Sequence, residues 1–290
     1  MSRNYRFQYL KTAALVAMAF GSAAPSSAQE PQVPAGFTSL FDGKTLEGWR
    51  GDMTLWSVKD GVISGGSDKE IPMDTFLISE KPYGNFELRF KYRWLTPKGN
   101  SGFMFRSHQV DGNFAMTGYQ SNVVPKGERV ERFNMLYSEL DDRQEMALLG
   151  QKAEISRRAA GGGGQGRVVR TVSATVNPRD AILAAVNDTN EWNEVVVVAY
   201  GNHLVGAINN MLAFDAIDRD PNGDKDGYFG MQVHAGAPMI VQYKDIWVKP
   251  LAAQPNIEGR FKSNPGPAPA PAITYKDSTD AALPDVELPE

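Results

Sequence analysis

Between Phe86 and Trp94 the chain alternates without a break. Phe86, Leu88, Phe90, Tyr92 and Trp94 are apolar, and Glu87, Arg89, Lys91 and Arg93 between them are charged. A period of two is the spacing of a strand with one face buried and one face wet, whereas a helix needs apolar residues every three or four. The stretches SGFMFRSHQV, GYQSNVV, NEVVVVAYG, NHLVGAIN, GYFGMQVHAG and VQYKDIWVKPL read as further strands. Between them stand pairs suited to tight turns, such as Asp60-Gly61, Gly201-Asn202 and Asn209-Asn210. Many short strands with this punctuation predict an all-β chain, an antiparallel sandwich or barrel rather than a βαβ fold.

Three segments interrupt the pattern. VNPRDAILAAVND predicts a short helix, with Asn177 as its N-cap and Pro178 in its first turn. ERVERFNMLYSELDDRQEMALLG reads either as an amphipathic helix or as a strand through FNMLYS followed by a polar excursion. RRAAGGGGQGRVVR reads as a surface loop, because a strand and not a helix follows the glycines.

The chain ends set the domain limits. A basic start, the apolar run TAALVAMAF and the small residues GSAAPSSAQE predict a secretory signal peptide over residues 1–28, cleaved after Ala28. The apolar run is too short to span a bilayer, so the mature form is expected to carry no transmembrane segment and to be periplasmic or secreted. The chain has no cysteine, which excludes disulfides, a lipid-anchored cysteine and thiolate metal sites. Residues 34–251 form the expected folded domain, and the Pro- and Ala-rich residues 252–290 read as a disordered tail. A net charge of −4 without a basic stripe argues against a nucleic-acid partner.

Parity then sorts the strand residues. Met104, Arg106 and His108 share one face of their strand, Gln120 and Asn122 one face of theirs, and Tyr228, Gly230, Gln232 and His234 another. If these strands are neighbours, their polar faces form a patch of amides, arginine and histidine that suits a polyhydroxylated ligand. Asp218, Asp220, Asn222, Gly223, Asp224 and Asp226 match positions one to nine of a calcium loop, but position twelve is Phe229 where a bidentate Glu is needed. The stretch therefore reads as a connection between strands. Asp218, Asp220, Asn222 and Asp224 stay the candidates for a looser metal site, and a divalent ion, calcium or another, is the one cofactor left open. Paired-carboxylate glucanase, nucleophile-elbow and H-E-x-x-H patterns are absent.

Seven stretches, GFTSLFDGKTLEGW, WSVKDGVISGG, YGNFELRFKYRW, GNSGFMFRS, GYQSNVV, EWNEVVVVAYGNHLVGAINN and MQVHAGAPMIVQYKDIWVKPL, occur in an order that resembles the 3-keto-disaccharide hydrolase family. The resemblance implies a concanavalin A-like jelly-roll β-sandwich with short helical and loop insertions. It implies a sugar cleft on one sheet and a substrate oxidised to a ketone at C3. On that basis His234 is assigned as base or metal ligand and Arg106 as enolate or hydroxyl binder. Glu87 is the alternative base, and Gln120, Gln232, Asn122 and Tyr137 are substrate binders. Relatives commonly carry an acid at the place of Asn122; Glu139 or Asp141 in LYSELDDR is the expected substitute. The competing expectation is a lectin-like binding module, with Trp49, Trp56, Trp94 or Tyr137 as an aromatic platform. The expected partner is an oligosaccharide or glycoside; no protein partner is indicated.

Overall fold

The structure, a computed structural model, describes residues 32–110, 114–127, 132–159 and 166–269. The expected signal peptide, the glycine run 161–164 and residues 270–290 lie outside the described residues.

Two sheets face each other. The larger, of eleven strands, runs in the order β18 (Gly266–Pro267), β12 (Arg167–Thr175), β11 (Gln151–Arg158), β15 (Met211–Asp218), β14 (His203–Ile208), β13 (Asn193–Tyr200), β6 (Phe86–Trp94), β17 (Met239–Pro250), β4 (Val62–Ser67) and β3 (Trp56–Lys59), with β1 (Thr38–Ser39) paired to β17. The smaller, of seven strands, runs in the order β10 (Gln144–Ala147), β9 (Leu136–Glu139), β8 (Met116–Val123), β7 (Ser101–Gln109), β16 (Gly227–Val233), β5 (Thr75–Tyr83) and β2 (Trp49–Arg50). The pairings are antiparallel except β11 with β15, which is parallel. LYSELDDRQEMA is thus the β9–β10 hairpin, not a helix.

The apolar residues of the alternating strands meet between the sheets. Phe90 of β6 stacks on Phe103 of β7 with centroids 4.3 Å apart, and Phe86 packs edge-on against Phe229 of β16 at 4.9 Å. Burying each such ring contributes about 1.5–3 kcal/mol. A polar link crosses the same layer: the Ser101 hydroxyl lies 2.6 Å from the Gln232 carbonyl and 2.7 Å from the Tyr243 hydroxyl. Trp49, Trp56 and Trp94 are buried in this core and offer no platform to a ligand.

The helix is a single short element, α1 (Arg179–Ala184), and Asn177 does not cap it. The Asn177 side chain instead donates to the Leu212 and Lys262 carbonyls and accepts from the Asn264 amide. That contact corrects the expected domain end at residue 251. Residues 252–269 run across the outer face of the larger sheet, where Leu251, Ile257 and Phe261 cover Val176, Val196, Val198, Val205 and Leu212. β18 then adds to the edge of β12. Among the described residues no helix is long and apolar enough to cross a membrane.

Candidate functional site

The seven-stranded sheet turns Phe103, Phe105, Phe229 and Met231 to the core, so their strand neighbours face outward. Near β5 that outer face is apolar: Phe76, Ile78, Met104 and Met116 form a small second cluster under Phe114 and Tyr228. Phe114, just before β8, packs on it, and the Phe76 amide donates to the Phe114 carbonyl at 3.0 Å. This wall bounds a polar floor built by β16, β7, β8 and β9.

Gln120 is the centre of the floor. It can lie across β7 because residue 102 is glycine; a Cβ there would stand 2.2 Å from Gln120 Cδ. Its amide nitrogen reaches Gln232 Oε1 at 3.3 Å, Met104 Sδ at 3.2 Å and Glu139 Oε2 at 3.4 Å. Tyr137 stands directly opposite Gln120 in the ladder. Burial and the charges of Glu139 and Glu145 push its phenol up. Asn122 lies on the same strand face, with its amide donating to the Arg132 carbonyl at 2.7 Å.

The Glu139 carboxyl is shifted toward neutrality. Burial first, then the charges of Asp74 and Asp141, raise its carboxyl from 4.5 to about 7. Among the described residues no cation pairs with it, and Gln120 is its one side-chain hydrogen-bond partner. Asp74 comes from the segment just before β5. Its Oδ1 accepts the Ala235 amide at 2.6 Å and lies 3.5 Å from Nδ1 of His234. His234 follows β16 directly, a third exposed, with Nδ1 2.7 Å from the Ala235 carbonyl. Beyond Glu139 a cleft of about 320 Å³ opens between Thr117, Asp141, Asp142, Arg143, Asn222 and Asp224.

The structure brings Gln120, Gln232, Asn122 and Tyr137 onto one face and corrects two other placements. Arg106 does not share the face of Met104. The β7–β8 register slips between Phe105 and His108, and Arg106 takes a left-handed φ of 47°. Its buried guanidinium instead donates to the Gly84 and Gly201 carbonyls at 2.7 and 2.6 Å and to Asn85 Oδ1 at 3.1 Å. It ties the two sheets together at one end. Glu87 lies on the other sheet, on its outer face, paired with Arg89 at 2.8 Å and with Arg260 of the C-terminal segment. Burial opposes its charge, but the hydrogen bonds from Arg260 and Arg89 prevail and hold its carboxyl below the usual range.

The calcium-like loop is a connection held by ion pairs. Asp218 meets Arg143 at 2.9 Å and the Tyr119 hydroxyl at 2.6 Å, and Asp220 meets Arg157 at 2.8 Å. Asp224 lies 3.2 Å from Arg143, and Asn222 gives its backbone amide to Asp220. Guanidinium groups stand where a cation would have to sit, so the donor set does not fit a calcium ion. Among the described residues no three His, Asp or Glu side chains are grouped to hold a metal.

Sequence parity missed Asp74, which lies outside any strand and has no period to reveal it. Glu139 was legible only as a stand-in for the acid that Asn122 replaces.

The fold is of the all-β sandwich class, and its smaller sheet carries a floor of amides and a raised carboxyl that can hydrogen-bond hydroxyl groups. Within that class the chain belongs to the family of 3-keto-alpha-glucoside-1,2-lyase-like domains, whose model matches residues 36–249. A 3-keto-disaccharide hydrolase of Bacteroides thetaiotaomicron is 24% identical over 246 residues, 78% of this chain and 82% of that one. Among solved structures, a candidate glycosyl hydrolase of Parabacteroides distasonis is 20% identical, with a TM-score of 0.48 over 74% of this chain and 94% of that one. The carbohydrate-binding module CBM66 of Bacillus subtilis is 17% identical, with a TM-score of 0.43 over 70% and 95%.

Proposed function

We propose that this chain cleaves 3-keto-glycosides, 3-keto-disaccharides among them, in the cell envelope, by elimination followed by hydration. The observation that carries the reading is Glu139, a carboxyl raised to about 7 on an amide-lined face and, among the described residues, without a paired cation. A base acts best when its pKa lies near the working pH. A C3 ketone acidifies the hydrogen on C2, and Glu139 takes that proton. The enolate charge falls on the C3 oxygen. The Gln120 nitrogen and the Gln232 amide, whose oxygen is already turned to Gln120, supply donors there. The electron pair then expels the group on C1, and His234, once protonated on Nε2 as well, gives that proton to the departing oxygen. Water adds back across the C1–C2 double bond, returning the C2 hydrogen from solvent.

The named activity of the Bacteroides relative supports this reading. The leader-like N-terminus supports export to the envelope. The test is incubation of the purified protein with a 3-keto-disaccharide in deuterated water. The expected result is cleavage with deuterium at C2 of the released keto sugar. Cleavage without deuterium removes the enolate route. Saturable binding with no product makes the chain a binding module instead.

A further inference from the structure

We infer that Asp74 is a positioning residue that fixes His234 with its proton on Nδ1 and leaves Nε2 as the nitrogen that exchanges protons with substrate. This rests on the reading above that His234 acts on a 3-keto-glycoside.

The argument is one of donors and acceptors. Nδ1 of His234 is 2.7 Å from the Ala235 carbonyl, which can only accept. The second group near it, Asp74 Oδ1 at 3.5 Å, is also an acceptor. A bare lone pair on Nδ1 would face two oxygens, so Nδ1 carries hydrogen and the neutral ring keeps its lone pair on Nε2. Free histidine prefers the opposite arrangement, and the fold therefore holds the minor tautomer. Asp74 does so in two ways. Its Oδ1 takes the Ala235 amide at 2.6 Å, which anchors the turn that supplies the carbonyl. Its carboxylate also lies on the Nδ1 side of the ring, where it faces the hydrogen that Nδ1 carries. The pair bridges two chain segments far apart in sequence, at positions 74 and 234–235, brought together by the β5–β16 ladder. The same connection is closed by the bridge between Ile71 and Gly236.

The experiment compares Asp74→Ala and Asp74→Asn with wild type, using nitrogen-15 spectra of the histidine rings and steady-state kinetics on a 3-keto-disaccharide. His234→Gln identifies the signal. Wild type is expected to show a protonated Nδ1 and a lone-pair Nε2. Asp74→Ala is expected to mix in the Nε2-protonated tautomer and to lower kcat about tenfold or more, with KM little changed. Asp74→Asn keeps an acceptor for the Ala235 amide and is expected to fall between. An unchanged Nδ1-protonated spectrum in Asp74→Ala overturns the inference. So does a loss of kcat matched by an equal loss of folded protein in both variants. Wild type without turnover, but with the tautomer signature moving in Asp74→Ala, sinks the functional reading and leaves the positioning role standing.

Discussion

Two parts of the molecule are rich in acidic side chains, and the fold treats them in opposite ways. In the loop from Asp218 to Asp224, Asp218 and Asp220 are fully buried, and each meets a guanidinium, from Arg143 or Arg157. On the outer face of the smaller sheet, Glu139 is partly buried beside Asp74 and Asp141 and meets an amide. A guanidinium faces each of the two carboxylates in the first place, and burial disfavours the charged form in the second. A carboxylate matched by Arg holds chain segments together; one left among other acids keeps its proton within reach of neutral pH and can exchange it. The density of Asp and Glu in a sequence cannot separate the two cases. The partners do.

The contrast can be broken experimentally. Glu139→Gln retains shape and the contact to Gln120 but has no proton to exchange. It is expected to lower kcat on a 3-keto-glycoside by about two to four orders of magnitude. Unchanged turnover would move the chemistry elsewhere. In the other region, Arg143→Met leaves Asp218 buried and unpaired and is expected to cost about 3–5 kcal/mol in urea unfolding. A loss below about 1 kcal/mol would mean that the brace is dispensable.

The two regions should also differ in their response to pH. The folded pKa of Glu139 lies above its ordinary 4.5, so between 4.5 and about 7 the folded state binds more protons than the unfolded one. Its contribution to stability is therefore favourable at low pH and is lost as pH rises through that window. Glu139→Gln is expected to raise stability at pH 8 by an amount on the order of 1–3 kcal/mol, discounted for solvent screening, and to have little effect at pH 4. A stability loss of that size at pH 8 would reverse the assignment. Gly102→Ala should push Gln120 off the floor and raise KM about tenfold with the fold intact, as read by kinetics and circular dichroism. The smallest effect is expected from calcium: millimolar ion should shift the melting temperature by less than about 1 °C, because the loop already holds its cations. A large upward shift would restore the metal site.

How far the fold was legible follows from where the backbone keeps a regular period. β6, β8 and β16 obey alternation, so their core residues and the shared face of Gln120 with Gln232 could be placed in advance. Arg106 could not, because the irregularity in β7 turns one residue over and parity fails after it. Glu87 was on the correct face of its strand but in the other sheet, and alternation says nothing about which sheet a strand joins. Asp74 acts from a connection, where side-chain direction is set by tertiary contacts alone. Residues 252–269 have a tail-like composition, yet Leu251, Ile257 and Phe261 suffice to seat them on the larger sheet.

That last segment has a consequence for the order of events as the chain is made. β18 is the final described strand, and it sits on the open edge of β12 while the residues before it cover the valines of the outer face. Until about residue 267 has emerged, the larger sheet presents an unpaired edge and an uncovered apolar patch, the combination that invites association with neighbouring chains. A protein ending at residue 251 would be left in that state.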